Sequence, residues 1–191
     1  MVTTLVWFRR DLRLRDQPAL AWAAARGPVL PVYCHDPDRA PGAAARWWLH
    51  HSLLALQADL AAAGLPLLCR RGPAAAVLPA LAAAARADAV AWTRSFEPAG
   101  AAVDAAVAAA LTVAGVAARL FDSGLLLPPG SVRTGQGTPY RVFTPFWRRL
   151  RRELAANGPA LDPPAASPDA APASVPEPPG SVAGLGLLDR H

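Results

Sequence analysis

Five short apolar runs punctuate this chain, and longer stretches rich in alanine and leucine lie between them. The runs are Thr4 to Phe8, Val29 to Cys34, Pro66 to Arg70, Ala89 to Thr93 and Val116 to Phe121. They are nearly continuous in apolar side chains, the pattern of strands covered on both faces. The stretches Pro18 to Ala25, Ala43 to Ala63, Ala74 to Ala87 and Gly100 to Ala114 read as helices. Gly27, Gly64 and Gly115 follow three of them and suit C-caps. Gly72-Pro73 opens the third helix, where proline is tolerated in the first turn. Strands alternating with helices in this way predict a parallel five-stranded sheet with helices on both faces. Right-handed crossovers make it a doubly wound α/β fold, Rossmann-like or flavodoxin-like. The alanine runs share no fixed period, which argues against a helical solenoid.

Beyond Asp122 the pattern breaks. Ser123 to Tyr140 is a turn-rich loop punctuated by Gly and Pro. "TPFWRRLRREL" then reads as a helix, with Thr144 as N-cap and Pro145 at its first position. From Asn157 to Gly180 eight prolines, Pro159, Pro163, Pro164, Pro168, Pro172, Pro176, Pro178 and Pro179, leave room for neither a helix nor a central strand. The expected organisation is an α/β domain over residues 1–156, a Pro/Ala-rich linker over 157–184, and the opening of a further domain over 185–191.

Composition changes this picture little. At 191 residues and 53% hydrophobic, the chain is long enough to bury one sizeable core. No apolar run reaches the roughly 18–20 residues that span a bilayer. "MVTTLVWFRR" lacks the features of a secretory signal, so the expected compartment is the cytoplasm. Every basic residue is arginine, and the net charge is +5. That is compatible with a nucleic-acid partner and equally with ordinary surface charge in an arginine-biased composition. Cys34 and Cys69 form no CxxC pair and sit in apolar runs, as buried free thiols do.

Familiar chemical motifs are missing. There is no GxxxxGK[ST] and no GxGxxG after the first strand, where Arg9-Arg10-Asp11 stands instead. Gly135-Gln136-Gly137 precedes no strand–helix unit and reads as a turn. His50 and His51 are adjacent, so on a helix they diverge by about 100° and cannot share a metal. No metal site and no catalytic set of side chains can be proposed. What remains is the carboxyl edge of the sheet, where open α/β folds bind ligands. Phe8-Arg9-Arg10-Asp11, Cys34-His35-Asp36, Arg94-Ser95-Phe96-Glu97 and Phe121-Asp122-Ser123 arrive there, and Arg46 can reach the same cleft. This mixture suits a planar ligand with polar edges. The alternative is that the arginines and carboxylates pair with one another and cap helices.

Three motifs are more specific. "LVWFRRDLRLRD" at 5–16, "FEPAG" at 96–100 and "LLPPGSVRTGQGTPYRVFTPFWRRL" at 126–150 resemble the N-terminal domain of DNA photolyases and cryptochromes, from about residue 3 to the linker. The resemblance implies an α/β domain that holds an antenna chromophore, a deazaflavin or a folate. It also implies a partner in cis, a larger helical domain that holds FAD and repairs pyrimidine dimers in damaged DNA by light-driven electron transfer. FAD would belong to that domain alone, and this chain by itself is expected to be inactive in repair. By the same resemblance Cys34, His35, Asp36, Arg46, Ser95, Phe96 and Glu97 are the candidate antenna residues. Arg9, Arg10, Asp11, Arg13, Tyr140, Phe143 and Phe146 are the candidate interdomain residues. Ala99, Ala101 and Val103 stand where the family pattern carries Tyr and two Arg, which removes polar groups from the pocket rim and leaves the chromophore type open. Two other readings share the fold: a cryptochrome-like blue-light photoreceptor, and a free-standing α/β module that binds a flavin or nucleotide.

Overall fold

A computed structural model of the chain describes residues 2–39, 41–123, 125–158 and 180–189. The chain divides into two compact units, Met1–Phe121 with Pro164–His191, and Asp122–Pro163. The first unit runs β1 (Thr3–Phe8), α1 (Pro18–Arg26), β2 (Val29–His35), a 3-10 turn (Pro37–Arg39), α2 (Ala43–Ala62), β3 (Leu68–Arg71), α3 (Ala74–Ala84), β4 (Ala87–Thr93), α4 (Pro98–Val113) and β5 (Ala117–Phe121). All the strand pairs are parallel, in the order β3-β2-β1-β4-β5. That order is the Rossmann type, not the flavodoxin type, and it puts the topological switch point between β1 and β4.

Strand alternation explains both faces. Val6 and Phe8 of β1 point to one side, where Leu20 of α1 and Leu53, Leu56 and Leu60 of α2 bury them. Leu5 and Trp7 point to the other, against Leu78 of α3 and Val107 and Leu111 of α4. Pro31 lies inside β2, although it has no N–H to donate. It is tolerated because β3 begins opposite Val32, so β2 is still an edge at that point.

The element boundaries move for local reasons. The third helix was expected to reach Ala87 but stops at Ala84, because Ala87 already pairs with Thr3 as the start of β4. Arg86 makes the intervening turn at φ 51°. The fourth helix begins at Pro98 rather than Gly100, with the proline in its first turn. Gly64 and Gly115 follow their helices at φ 74° and 70°, as C-cap glycines do.

The end of the chain departs most from expectation. Residues 159–179, which carry the eight prolines, lie outside the described residues. Residues 180–189 pack with the α/β unit: Val182, Leu185 and Leu187 are buried in the core that contains Leu53, Leu56 and Tyr33. Val182, placed by composition in the Pro/Ala-rich linker, and Leu185 and Leu187 beyond it all have a seat there.

The second unit holds α5 (Phe143–Asn157). Its N-cap is Val142, and no side chain caps it. Thr144, expected as the cap, lies inside the helix. Gly137 at φ 77° closes a turn whose N–H donates to the Thr134 carbonyl at 2.9 Å. Arg133 Nη1 donates to the Gly137 carbonyl at 2.9 Å, so the glycine pair serves a turn. On α5, Phe143 stacks on Trp147 with ring centroids 6.1 Å apart, and Tyr140 meets Phe146 edge-on at 6.2 Å. Val142 and Phe143 are exposed, at 62% and 71%. Among the described residues, no helix is long and apolar enough to cross a membrane.

Candidate functional site

The loops after β1 and β4 meet at the switch point, and there the charges are consumed internally. Asp104 of α4 is 4% exposed. Its carboxylate accepts from the Arg9 guanidinium, from Trp92 Nε1 at 3.1 Å and from the Ser95 backbone N–H at 2.8 Å. The same guanidinium lies over the Trp7 ring, 4.5 Å from its centroid. Asp11 accepts from Gln17 Nε2 and from the Thr93 hydroxyl. Gln17 in turn caps α1 by accepting from the Ala19 N–H. Further out, Arg10 donates to Glu97 at 2.5 Å. That hydrogen bond and the charge of Arg10 hold the Glu97 carboxyl below its usual range. At Gly100 an added Cβ would sit 2.0 Å from Ser95 Oγ, so the loop lies directly on the start of α4. No dinucleotide could enter here without displacing these groups.

One strand over, between β1, β2 and the start of α2, the surface opens. A cavity of about 630 Å³ is lined by Arg9, Arg10, Asp11, Leu12 and Arg13 after β1, by Tyr33 of β2, by Arg39 and Pro41 before α2, and by Trp48, Leu49 and Ser52 of α2. Its volume falls in the range of small-molecule sites. Four arginines line it, each beside a carboxylate partner, and Trp48, 69% exposed, offers an unburied aromatic face. Tyr33 stays a neutral hydroxyl: burial, with the neighbouring Cys34 and Cys69, pushes its pKa up to about 12.

The seven candidate antenna residues divide around this cavity, and none of them lines it. Cys34 is half-buried and free; burial, aided by Cys69, pushes its thiol up beyond the ordinary range. His35 is buried, and burial first, then Arg71 and Arg46 against an opposing Asp36, lowers its pKa from 6.5. Asp36 accepts from the Asp38 N–H at 3.2 Å and pairs with Arg39 at 3.8 Å. Arg46 donates to the Leu187 and Pro41 carbonyls. Ser95 and Glu97 stand at the switch point, behind Arg9 and Arg10, and Phe96 is 40% exposed. Arg9, Arg10, Asp11 and Arg13, expected at an interdomain face, all line the cavity. Tyr140, Phe143 and Phe146 lie in the second unit. Sequence reasoning missed Asp104 and the aromatic wall. The signal for Asp104 was a lone carboxylate in an alanine-rich helix; Trp48 carried none beyond its adjacency to Trp47.

Comparison with known proteins resolves what this edge belongs to. The family model described as DNA photolyase matches residues 4–169. A deoxyribodipyrimidine photo-lyase of Agrobacterium fabrum is 44% identical over 84% of this chain and 34% of its own length. Cryptochrome-1 of Arabidopsis thaliana is 34% identical over 76% of this chain and 22% of its own. The crystal structure of a bacterial class III photolyase from Agrobacterium tumefaciens superposes with a TM-score of 0.86 at 39% identity, covering 97% of this chain and 38% of that one. The chain thus spans about a third of the photo-lyases it matches, and what it matches is their N-terminal part. A five-stranded Rossmann-type unit, a sealed switch point and this sustained similarity lead to one conclusion: the chain belongs to the DNA photolyase family.

Proposed function

We propose that this chain is the light-harvesting N-terminal domain of a deoxyribodipyrimidine photo-lyase, and that the cavity between β1 and α2 holds its antenna chromophore. Family members bind a flavin and antenna chromophores in general. The observation that supports the reading is the contrast at the sheet edge: Arg9 and Arg10 are tied into the switch point by Asp104 and Glu97, while Arg13, Arg39 and Trp48 border open space. These residues fit a planar conjugated ligand with anionic groups. The ring would lie against Trp48 and Tyr33, and carboxylates would meet Arg13 and Arg39. A folate, with its glutamate carboxylates, satisfies both needs; a deazaflavin satisfies the first.

The bound chromophore supplies absorption of light. The chain's own residues bind it, fix its orientation and shield one face from water. Glu97 acts through Arg10, and the Ser95 backbone acts through Asp104, which holds Arg9 in place. Cys34, His35, Asp36 and Arg46 support the β2 side of the cavity wall, and Phe96 stays on the far side of the switch point. The excitation would pass to FAD in a helical domain in cis, which Tyr140, Phe143 and Phe146 suit as a docking face and which would act on dimers in damaged DNA. The higher identity to photo-lyases than to cryptochromes, 44% against 34%, favours repair over signalling.

Titration with 5,10-methenyltetrahydrofolate and with 8-hydroxy-5-deazariboflavin tests the antenna reading. Saturable one-to-one binding of either, followed by absorbance, is expected; binding of neither would overturn it. The chain alone should leave pyrimidine dimers unrepaired under light.

A further inference from the structure

The segment after the proline-rich stretch is seated in the same core that floors the cavity. Val182, Leu185 and Leu187 are 1–2% exposed and share one apolar cluster with Tyr33, against which Leu12 and Leu49 pack. Tyr33, Leu12 and Leu49 are also cavity wall. The segment is fixed at both ends. At Gly180 a Cβ would come within 2.3 Å of the Cys69 carbonyl, so the backbone lies directly on β3. Arg71 Nη1 donates to the Leu185 carbonyl at 3.2 Å. Arg46 then makes the bridge: its Nε donates to the Leu187 carbonyl at 3.3 Å and its Nη1 to the Pro41 carbonyl at 3.4 Å. Pro41 closes the cavity at the entrance to α2.

We propose that Arg46 is a positioning residue that couples seating of residues 180–189 to the shape of the cavity, so that ligand binding and docking of this segment are one linked equilibrium. Arg46 touches no ligand in this scheme. It holds the turn before α2 against the segment, and the shared cluster of Tyr33, Leu12 and Leu49 transmits the rest. Linkage is reciprocal: whatever factor an undocked segment costs in ligand affinity, bound ligand returns as protection of the segment. The ligand's identity rests on the antenna reading; the coupling between segment and wall does not.

Amide hydrogen exchange on the whole chain tests the coupling without ligand. Gly180→Ala pushes the segment off β3 and leaves every cavity residue in place. Exchange should rise at 182–189 and also at 41–49, by about fivefold or more, the lower end of ordinary coupling factors. Arg46→Met should raise exchange at 41–49 by itself, and Gly180→Ala should add little there once Arg46 is gone. Arg46→Lys, which can still reach one carbonyl, should restore part of the protection. Faster exchange at 182–189 with 41–49 unchanged would overturn the proposal, as would simple additivity of the two substitutions at 41–49. With 5,10-methenyltetrahydrofolate as probe, Gly180→Ala should weaken binding by the factor that bound probe adds to protection at 182–189. Equal affinities in the two proteins would also overturn it. A probe that fails to bind the wild-type chain would count against the antenna reading, and the ligand-free exchange would still decide the coupling.

Discussion

Two regions of one sheet edge carry similar residues and have opposite character. Between β1 and β4, Arg9, Asp104, Trp92 and Ser95 close into a network in which the buried charge has a partner on every side. Between β1 and α2, Arg39 pairs with Asp36 at 3.8 Å, and Trp48 is largely in solvent. Both regions are dense in arginine. Charge density alone therefore does not distinguish the two regions; open volume and an exposed aromatic face do. The proposed cleft lies one strand away from the position where a Rossmann sheet usually binds, and the usual position is closed by ion pairs and hydrogen bonds.

The two regions should come apart under mutation. Asp104→Ala has the largest expected effect, because it strands the Arg9 guanidinium in a partly buried site. Stability should fall by about 3–5 kcal/mol in chemical denaturation, and a loss below 1 kcal/mol would show that the network is ornamental. Gly100→Ala drives a methyl into Ser95 and should cost about 1–3 kcal/mol as overpacking does. On the open side the readout reverses. Arg13→Ala and Arg39→Ala should each weaken binding of an anionic chromophore about tenfold, or about 1.4 kcal/mol, while their denaturation midpoints stay near wild type. Unchanged affinity would remove the arginines from the site.

Acid should act next, through His35. Its folded pKa lies below 6.5, so between the two values the unfolded chain binds a proton that the folded chain refuses. Stability should be full above about pH 6.5 and decline as pH falls below it. His35→Gln should flatten that slope in a pH series of thermal melts. The smallest effect belongs to the exposed pair: Glu97→Gln removes the partner of Arg10 yet should leave the denaturation midpoint where it was.

The sheet and its helices were legible because buried parallel strands are nearly continuous apolar runs. The boundaries that moved did so where tertiary pairing overrode a local pattern, as when Ala87 left its helix to pair with Thr3. The sheet-edge residues were legible as a group, and the alternative that arginines and carboxylates pair with one another holds at the switch point. The cavity itself was not. It depends on how Trp48 and Leu49, one turn into α2, face Leu12 and Arg13 across the chain, and no spacing records that meeting. The seat of Val182, Leu185 and Leu187 was hidden for the same reason: three apolar residues gain meaning only from the groove that receives them.

The most direct test is a crystal structure of the chain with its bound chromophore. The account predicts ligand density between Trp48 and the Arg13–Arg39 rim, with the Arg9–Asp104 pair unbroken. Density over the start of α4, with Arg9 swung away from Asp104, would contradict it.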